Sequence, residues 1–255
     1  MTRLGILSGL KNSLAFLTII PVGMDEDGVA QAAGYMPSFP IIGAMIGFAS
    51  GALVWVLGFF LPSLIVGMLG LAFILLVTGV HHADGLLDFG DAVMFRGSAE
   101  EKIRVMHDQH TGAGGLSLGI VVLLTTAFSI AALDRGILVQ AMTTSEASAK
   151  FAMVFQAWAG RSASKGLNTA FVEGMHGKWR GARLATAFGS VLVISLVALK
   201  PVGFVVTLAG LLSAAIILVI SHRQFGGITG DVMGATNELC RLVSLLVVLV
   251  TAKWV

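Results

Sequence analysis

The stretch HHADGLLDFGD, His81 to Asp91, sets three aspartates and two histidines at the end of an apolar run, Ser63 to Val80, that carries no charged residue. A run of that length and composition reads as a helix crossing a bilayer. Carboxylates at the mouth of such a helix are costly unless they are paired or used. The rest of the chain repeats this contrast. Of its 255 residues, 56% are hydrophobic and 12% are charged, with a mean hydropathy of +0.91. A soluble domain carries about 25% charged residues. The chain therefore reads as an all-α, polytopic membrane protein, a single integral domain over residues 1–255. Its 32 glycines against 5 prolines suit close helix packing.

Apolar segments at about 39–61, 63–83, 115–133, 141–160, 184–199, 202–221 and 239–255 predict about seven transmembrane helices. The fourth is interrupted by Glu146 and Lys150, and Pro62 and Lys200-Pro201 mark tight turns. Residues 1–38 form an N-terminal arm. Lys11 and Asn12 break its apolar run and no small-residue cleavage site precedes Pro21, which argues against a signal peptide. Leu4, Leu7, Leu10, Leu14 and Leu17 share one helical face, as in a helix lying on the membrane surface.

Seven spans would put the N-terminus and the polar stretches 84–114, 161–183 and 222–238 on one side. That side carries Arg3, Lys11, Arg96, Lys102, Arg104, Arg161, Lys165, Lys178, Arg180, Arg183 and Arg223, with Arg241 just beyond. The other side carries Arg135, Lys200 and Lys253. The excess of cations predicts that the long loops face the cytoplasm across the inner membrane. All six histidines, and Asp84, Asp88, Asp91, Asp108, Glu173, Asp231 and Glu238, fall in or beside the same loops. Such one-sided sorting points to a site at that face. A net charge of +2 without a long basic tract gives no reason to expect nucleic acid. The lone Cys240 excludes an internal disulfide and a thiolate metal cluster, and reads as an inert core residue.

Asp84, Asp88 and Asp91 are spaced i, i+4, i+7, a single stripe on a helix. No Lys or Arg lies among them. A divalent cation would relieve their repulsion, and Mg²⁺ commonly uses one or two carboxylates together with substrate phosphates. A second acidic stretch, GGITGDVMGATNE from Gly226 to Glu238, places Gly226, Gly227 and Gly230 before Asp231. Glycines there let backbone N–H groups turn toward an anion, so Gly227 and Gly230 are expected to bind substrate. In MHDQHTGAGG, Met106 to Gly115, His107 and His110 lie three apart, but no further ligand pattern completes a zinc site. His107, Asp108 and His110 read instead as phosphate donors or acid–base groups, with His107 assigned to substrate and Asp108 to catalysis. Arg161 is expected to clamp a phosphate. Lys178, Arg180 and Arg183 read as contacts to lipid headgroups. Gly43, Gly47 and Gly51, four apart, let another helix approach closely.

These motifs together resemble the cobalamin-5′-phosphate synthase family, also called adenosylcobinamide-GDP ribazoletransferases. The resemblance runs along most of the chain, through FLTIIPVG, FPIIGAMIG, TGVHHADGLLDFGDA, MHDQHTGAGG, GLNTAF and GGITGDVMGATNEL. Ile19, His107 and His110 stand where the family often has arginine. The resemblance implies Mg²⁺-dependent joining of adenosylcobinamide-GDP to α-ribazole 5′-phosphate or α-ribazole, with release of GMP. Phosphoryl transfer needs charge neutralisation and positioning. Asp84, Asp88 and Asp231 are accordingly expected as the principal metal ligands. Asp91 is expected as a ligand or as the base for the acceptor hydroxyl, and His82 as an orienter of a carboxylate or a contact to the diphosphate. The other partner is the lipid bilayer, and a homo-oligomer is compatible with the sequence. Two rival readings remain at this stage. A CDP-alcohol phosphotransferase would begin its motif D-G-x-x-A-R, whereas Asp84-Gly85 is followed by Leu86-Leu87-Asp88-Phe89. A cation transporter would place its acids near mid-membrane.

Overall fold

Among the described residues, 3–254 of the computed structural model, every regular element is helical apart from one isolated parallel bridge between Ser162 and Ile228. The side chains of Arg3, Leu4, Ile6 and Ala252 fall outside that description, and with them the expectations placed on Arg3 and Leu4. The longer helices are α1 (Arg3–Leu17), α3 (Phe39–Leu57), α4 (Ser63–Val77), α5 (His81–Met94), α7 (Ala113–Ala132), α8 (Leu138–Ala159), α10 (Arg180–Phe225) and α11 (Gly230–Thr251). Shorter ones are α2 (Gly28–Gly34), α6 (Ala99–Met106) and α9 (Leu167–His176). An all-helical answer is the expected one for a chain this apolar, because a helix satisfies its own backbone without water.

Four stretches are long and apolar enough to cross a bilayer: Met36–Leu57, Ala113–Ala132, Arg180–Phe225 and Gly230–Thr251. The bent pair α4–α5 makes a fifth if counted as one span. Seven were expected, and two features account for the difference. The 46-residue α10 folds back on itself. Its backbone leaves helical values at Leu199 and Lys200, ahead of Pro201. Thr207 Oγ1 lies 3.1 Å from Ser195 Oγ, although 12 helical residues would separate them by about 18 Å. The other feature is α8, which is too polar to qualify. It does not need to be apolar, since every residue from Thr144 to Val154 is buried among α3, α10 and α11.

The packing of α8 on α3 answers the question raised by the glycines spaced four apart. A Cβ on Gly43 would sit 2.4 Å from the Glu146 carbonyl oxygen, and one on Gly47 2.3 Å from that of Met142. On Gly51 it would lie 2.9 Å from Val139 Cα. The two backbones touch along three turns, and no side chain can be added without parting them. Gly47→Leu is expected to cost about 1–3 kcal/mol or more by overpacking, read as a lowered thermal midpoint in detergent. An unchanged midpoint would show that α3 and α8 do not pack in this way.

Between α4 and α5 the chain turns by 96°. Gly79 (φ 65°) and Val80 (φ 64°) make the corner. A β-branched residue at positive φ is a genuine outlier, and such strain is held only where surrounding structure fixes it. The corner directs α5, with its aspartates, away from the line of α4 and against α7 and α11. We read α5 as lying outside the spanning segments. The N-terminal leucine stripe is divided: Leu17 is buried, Leu14 partly so, while Leu7 and Leu10 stay exposed. The three polar stretches are also largely helical, containing α5, α6, α9 and the first turns of α11. The last ends at Thr229 and not at 238, because α11 starts at Gly230 and takes Glu238 and Arg241 into the core. Arg241 therefore leaves the tally of loop cations, without altering its sense.

Candidate active site

The acidic ends of α5 and α11 meet because both present glycine at the crossing. A Cβ on Gly85 would lie 2.9 Å from Asp231 Cα, and one on Gly234 3.2 Å from His82 Cα. Asp84, exposed, and Asp88, half-buried, thus share a surface with half-buried Asp231. Burial, followed by the like charges of Asp84, Asp231 and Asp91, pushes the Asp88 carboxyl up to about 7. Those neighbours are all acids, and a bound cation would relieve their mutual repulsion. Among the described residues no three His, Cys, Asp or Glu side chains cage an ion by themselves.

A cavity of about 400 Å³ opens beside this cluster, lined in part by His81, His82, Asp84, Gly230 and Asp231. Gly230 has nothing within 4 Å of the place a Cβ would take, so the backbone there can be approached closely, while the Val232 and Met233 N–H groups are taken by Thr229. His82 is 7% exposed. Its Nδ1 is buried with no hydrogen-bond partner, and no carboxylate of the cluster bonds to it. His107 is exposed and close enough for its charge to act on Asp231.

Other expected residues are employed differently. Asp91 accepts hydrogen bonds from the Gly112 N–H (2.7 Å) and the Gly115 N–H (2.8 Å), one on each carboxylate oxygen. It secures the start of α7, which is positioning work and leaves it poorly suited to serve as a base. Asp91→Ala is expected to cost about 1–2 kcal/mol, as loss of a helix cap does. Amide exchange at Gly112–Leu116 should quicken; unaltered exchange there would refute the anchoring role. Asp108 turns its carboxylate onto its own loop, 2.8 Å from His110 Nδ1 and 3.0 Å from the His110 N–H. Those bonds hold it below the usual carboxylate range, and no contact joins it to the aspartate cluster. Gly227 is buried, and a Cβ there would meet the Arg161 carbonyl oxygen at 2.4 Å. It allows two chain segments to touch and is closed to substrate. Arg161 donates from Nε to the Gly226 carbonyl at 2.7 Å, and its own carbonyl accepts from the Ile228 N–H at 2.8 Å. It thereby braces the turn before α11, while its exposed guanidinium retains donors for an anion.

Sequence reasoning missed three parts of this region. The first is a fully buried ionic network behind the site. Arg241 bonds both Glu146 and Glu238, and Lys150 lies 3.5 Å from Glu146 and 2.7 Å from Asn237 Oδ1. The charges at 146 and 150 signalled it, but their partner lies 95 residues away. The second is Asn168, whose Nδ2 donates to the Ile228 carbonyl at 2.9 Å and docks α9 beside α11. The third is the N-terminal arm: Ala15, Phe16 and Met24 line the same cavity. No local signal in the arm indicates that contact.

The cobalamin-5-phosphate synthase family model matches residues 9–249. A relative from Methanococcoides burtonii, called adenosylcobinamide-GDP ribazoletransferase, is 32% identical, covering 96% of this chain and 93% of its own. Relatives of the same name from Thermococcus kodakarensis and Halorubrum lacusprofundi are 35% and 34% identical; they cover 93% and 94% of this chain, and 96% of their own in each case. No solved structure matches.

Proposed function

Because the chain belongs to the cobalamin-5-phosphate synthase family, we propose that the cavity between α5 and α11 is where it joins adenosylcobinamide-GDP to ribazole phosphate. The ribose hydroxyl of the acceptor attacks the phosphorus on the cobinamide side of the diphosphate. A P–O bond forms, the bridging P–O bond to GMP breaks, and the hydroxyl proton passes to a base or to water. The product is a phosphodiester. The observation that carries the reading is the convergence of Asp84 and Asp231, from opposite halves of the chain, on the lining of one cavity, with Asp88 close enough to both for like charge to act on it.

A diphosphate approaching bare carboxylates would be repelled. Asp84, Asp88 and Asp231 are the residues that would hold Mg²⁺, which when bound neutralises the diphosphate and the departing GMP. The exposed Gly230 lets a phosphate approach the start of α11, and His107 and the exposed guanidinium of Arg161, which braces the turn before α11, offer donors to phosphate oxygens. Asp91 acts at one remove by fixing α7 against α5. The site faces the cytoplasm of a cytoplasmic membrane in this reading, supported by the excess of Lys and Arg in the loops at its end of the bundle. Purified protein in lipid vesicles, given adenosylcobinamide-GDP, ribazole 5′-phosphate and Mg²⁺, should release GMP and form the complete corrinoid. It should release none when Mg²⁺ is chelated. GMP release that persists undiminished in chelator would remove the metal from the account.

A further inference from the structure

The cavity's lining is mixed in chemistry. Besides the acids, the lining carries Phe16 and Met24 of the N-terminal arm, with Leu167 and Phe171 of α9. Phe16 rests on an aromatic cluster, its ring centroid 4.7 Å from that of Phe171 and 6.2 Å from that of Phe39. Met24 is 43% exposed and Leu167 61% exposed at the mouth. The arm is tied down just beyond Met24, where Asp25 takes Lys11 Nζ at 2.6 Å, Ser8 Oγ at 2.7 Å and Asn12 Nδ2 at 2.8 Å. The apolar wall is therefore a held surface, with Phe171 buried behind a partly exposed Phe16 and with Met24 and Leu167 exposed.

We propose that this wall is the binding subsite for the fused heteroaromatic base of the acceptor, an assignment that rests on the reaction proposed above. The alternative aromatic bases in the reaction belong to the donor, its guanine and the adenine of its adenosyl group. The edges of both carry donors and acceptors that lose free energy when buried without partners. The wall offers almost none. Its polar side chain is Asn168, whose Nδ2 is spent on Ile228 and Ser162. A ribazole base joined to its ribose has no N–H to satisfy, and it gains from apolar area and ring contact with Phe16. With the base there, the ribose of the same molecule is directed toward the aspartates of the same lining.

The test is steady-state kinetics on the full chain in vesicles, varying each substrate at saturating concentrations of the other. Phe16→Ala should raise KM for ribazole 5′-phosphate about tenfold, with KM for adenosylcobinamide-GDP unchanged, and Phe16→Tyr should restore most of the loss. Met24→Ala, at an exposed side chain, should move the same KM in the same direction and serves where Phe16→Ala folds poorly. Active variants with an unchanged acceptor KM, or with only the donor KM raised, would overturn the assignment alone. Wild-type protein that releases no GMP would overturn the reaction and the assignment with it.

Discussion

Asp231→Asn should lower turnover by roughly 10²- to 10⁴-fold, the several kcal/mol that metal-ion charge stabilisation contributes to phosphoryl transfer, while leaving the fold intact or more stable. Asparagine keeps the shape of aspartate and removes its charge. The Asp231 side chain has little structural employment, its contact with Thr229 Oγ1 being a long 3.5 Å. It does carry like-charge repulsion with Asp84 and Asp88. Loss of activity with retained or raised thermal stability is the signature of a functional carboxylate held at a cost to the fold. A destabilised protein with near-normal turnover would mark Asp231 as structural. Asp84→Asn and Asp88→Asn should behave alike, because they share the same surface. Asp91→Asn should not, since both its oxygens serve the α7 terminus.

Arg241→Met should have the opposite signature, a collapse of stability. Arg241 is fully buried and bonded to both Glu146 and Glu238. Removing it leaves two buried carboxylates to share Lys150. Breaking a buried pair in this way costs about 3–5 kcal/mol, which for a chain of this size is a fall in midpoint on the order of 10 °C. Pairing the change with Glu238→Gln leaves Glu146 opposite Lys150 and should recover part of the loss. Thermal unfolding in detergent measures both. A single variant as stable as wild type would show that the network does not hold α8 to α11.

These two residues illustrate what could be read along the chain and what could not. The aspartate stripe was legible because helical spacing is local: residues four and seven apart share a face whatever the rest of the chain does. The apolar segments were legible because lipid leaves only one way to satisfy a backbone. The role of α8 was obscured by its own charges. Glu146 and Lys150 lowered its apparent claim to be a membrane helix, yet the residue that neutralises them is Arg241, on a helix at the other end of the sequence. The glycine motif before Asp231 lies beside the cavity, but its glycines divide the work. Gly230 opens onto the cavity and Gly227 is crushed against Arg161. Spacing cannot separate a glycine that admits substrate from one that admits backbone. The turn of 96° at Gly79-Val80 was likewise invisible, since valine gives no warning of a positive φ.

We propose that Asp84 of α5 and Asp231 of α11 would together hold a divalent cation when the donor is bound. Mn²⁺ titration followed by electron paramagnetic resonance, with and without adenosylcobinamide-GDP, tests it directly. Binding should tighten when the diphosphate is present, and should be lost in Asp84→Asn and in Asp231→Asn alike. Mn²⁺ binding that survives both substitutions, or that depends on one helix and ignores the other, would contradict the account.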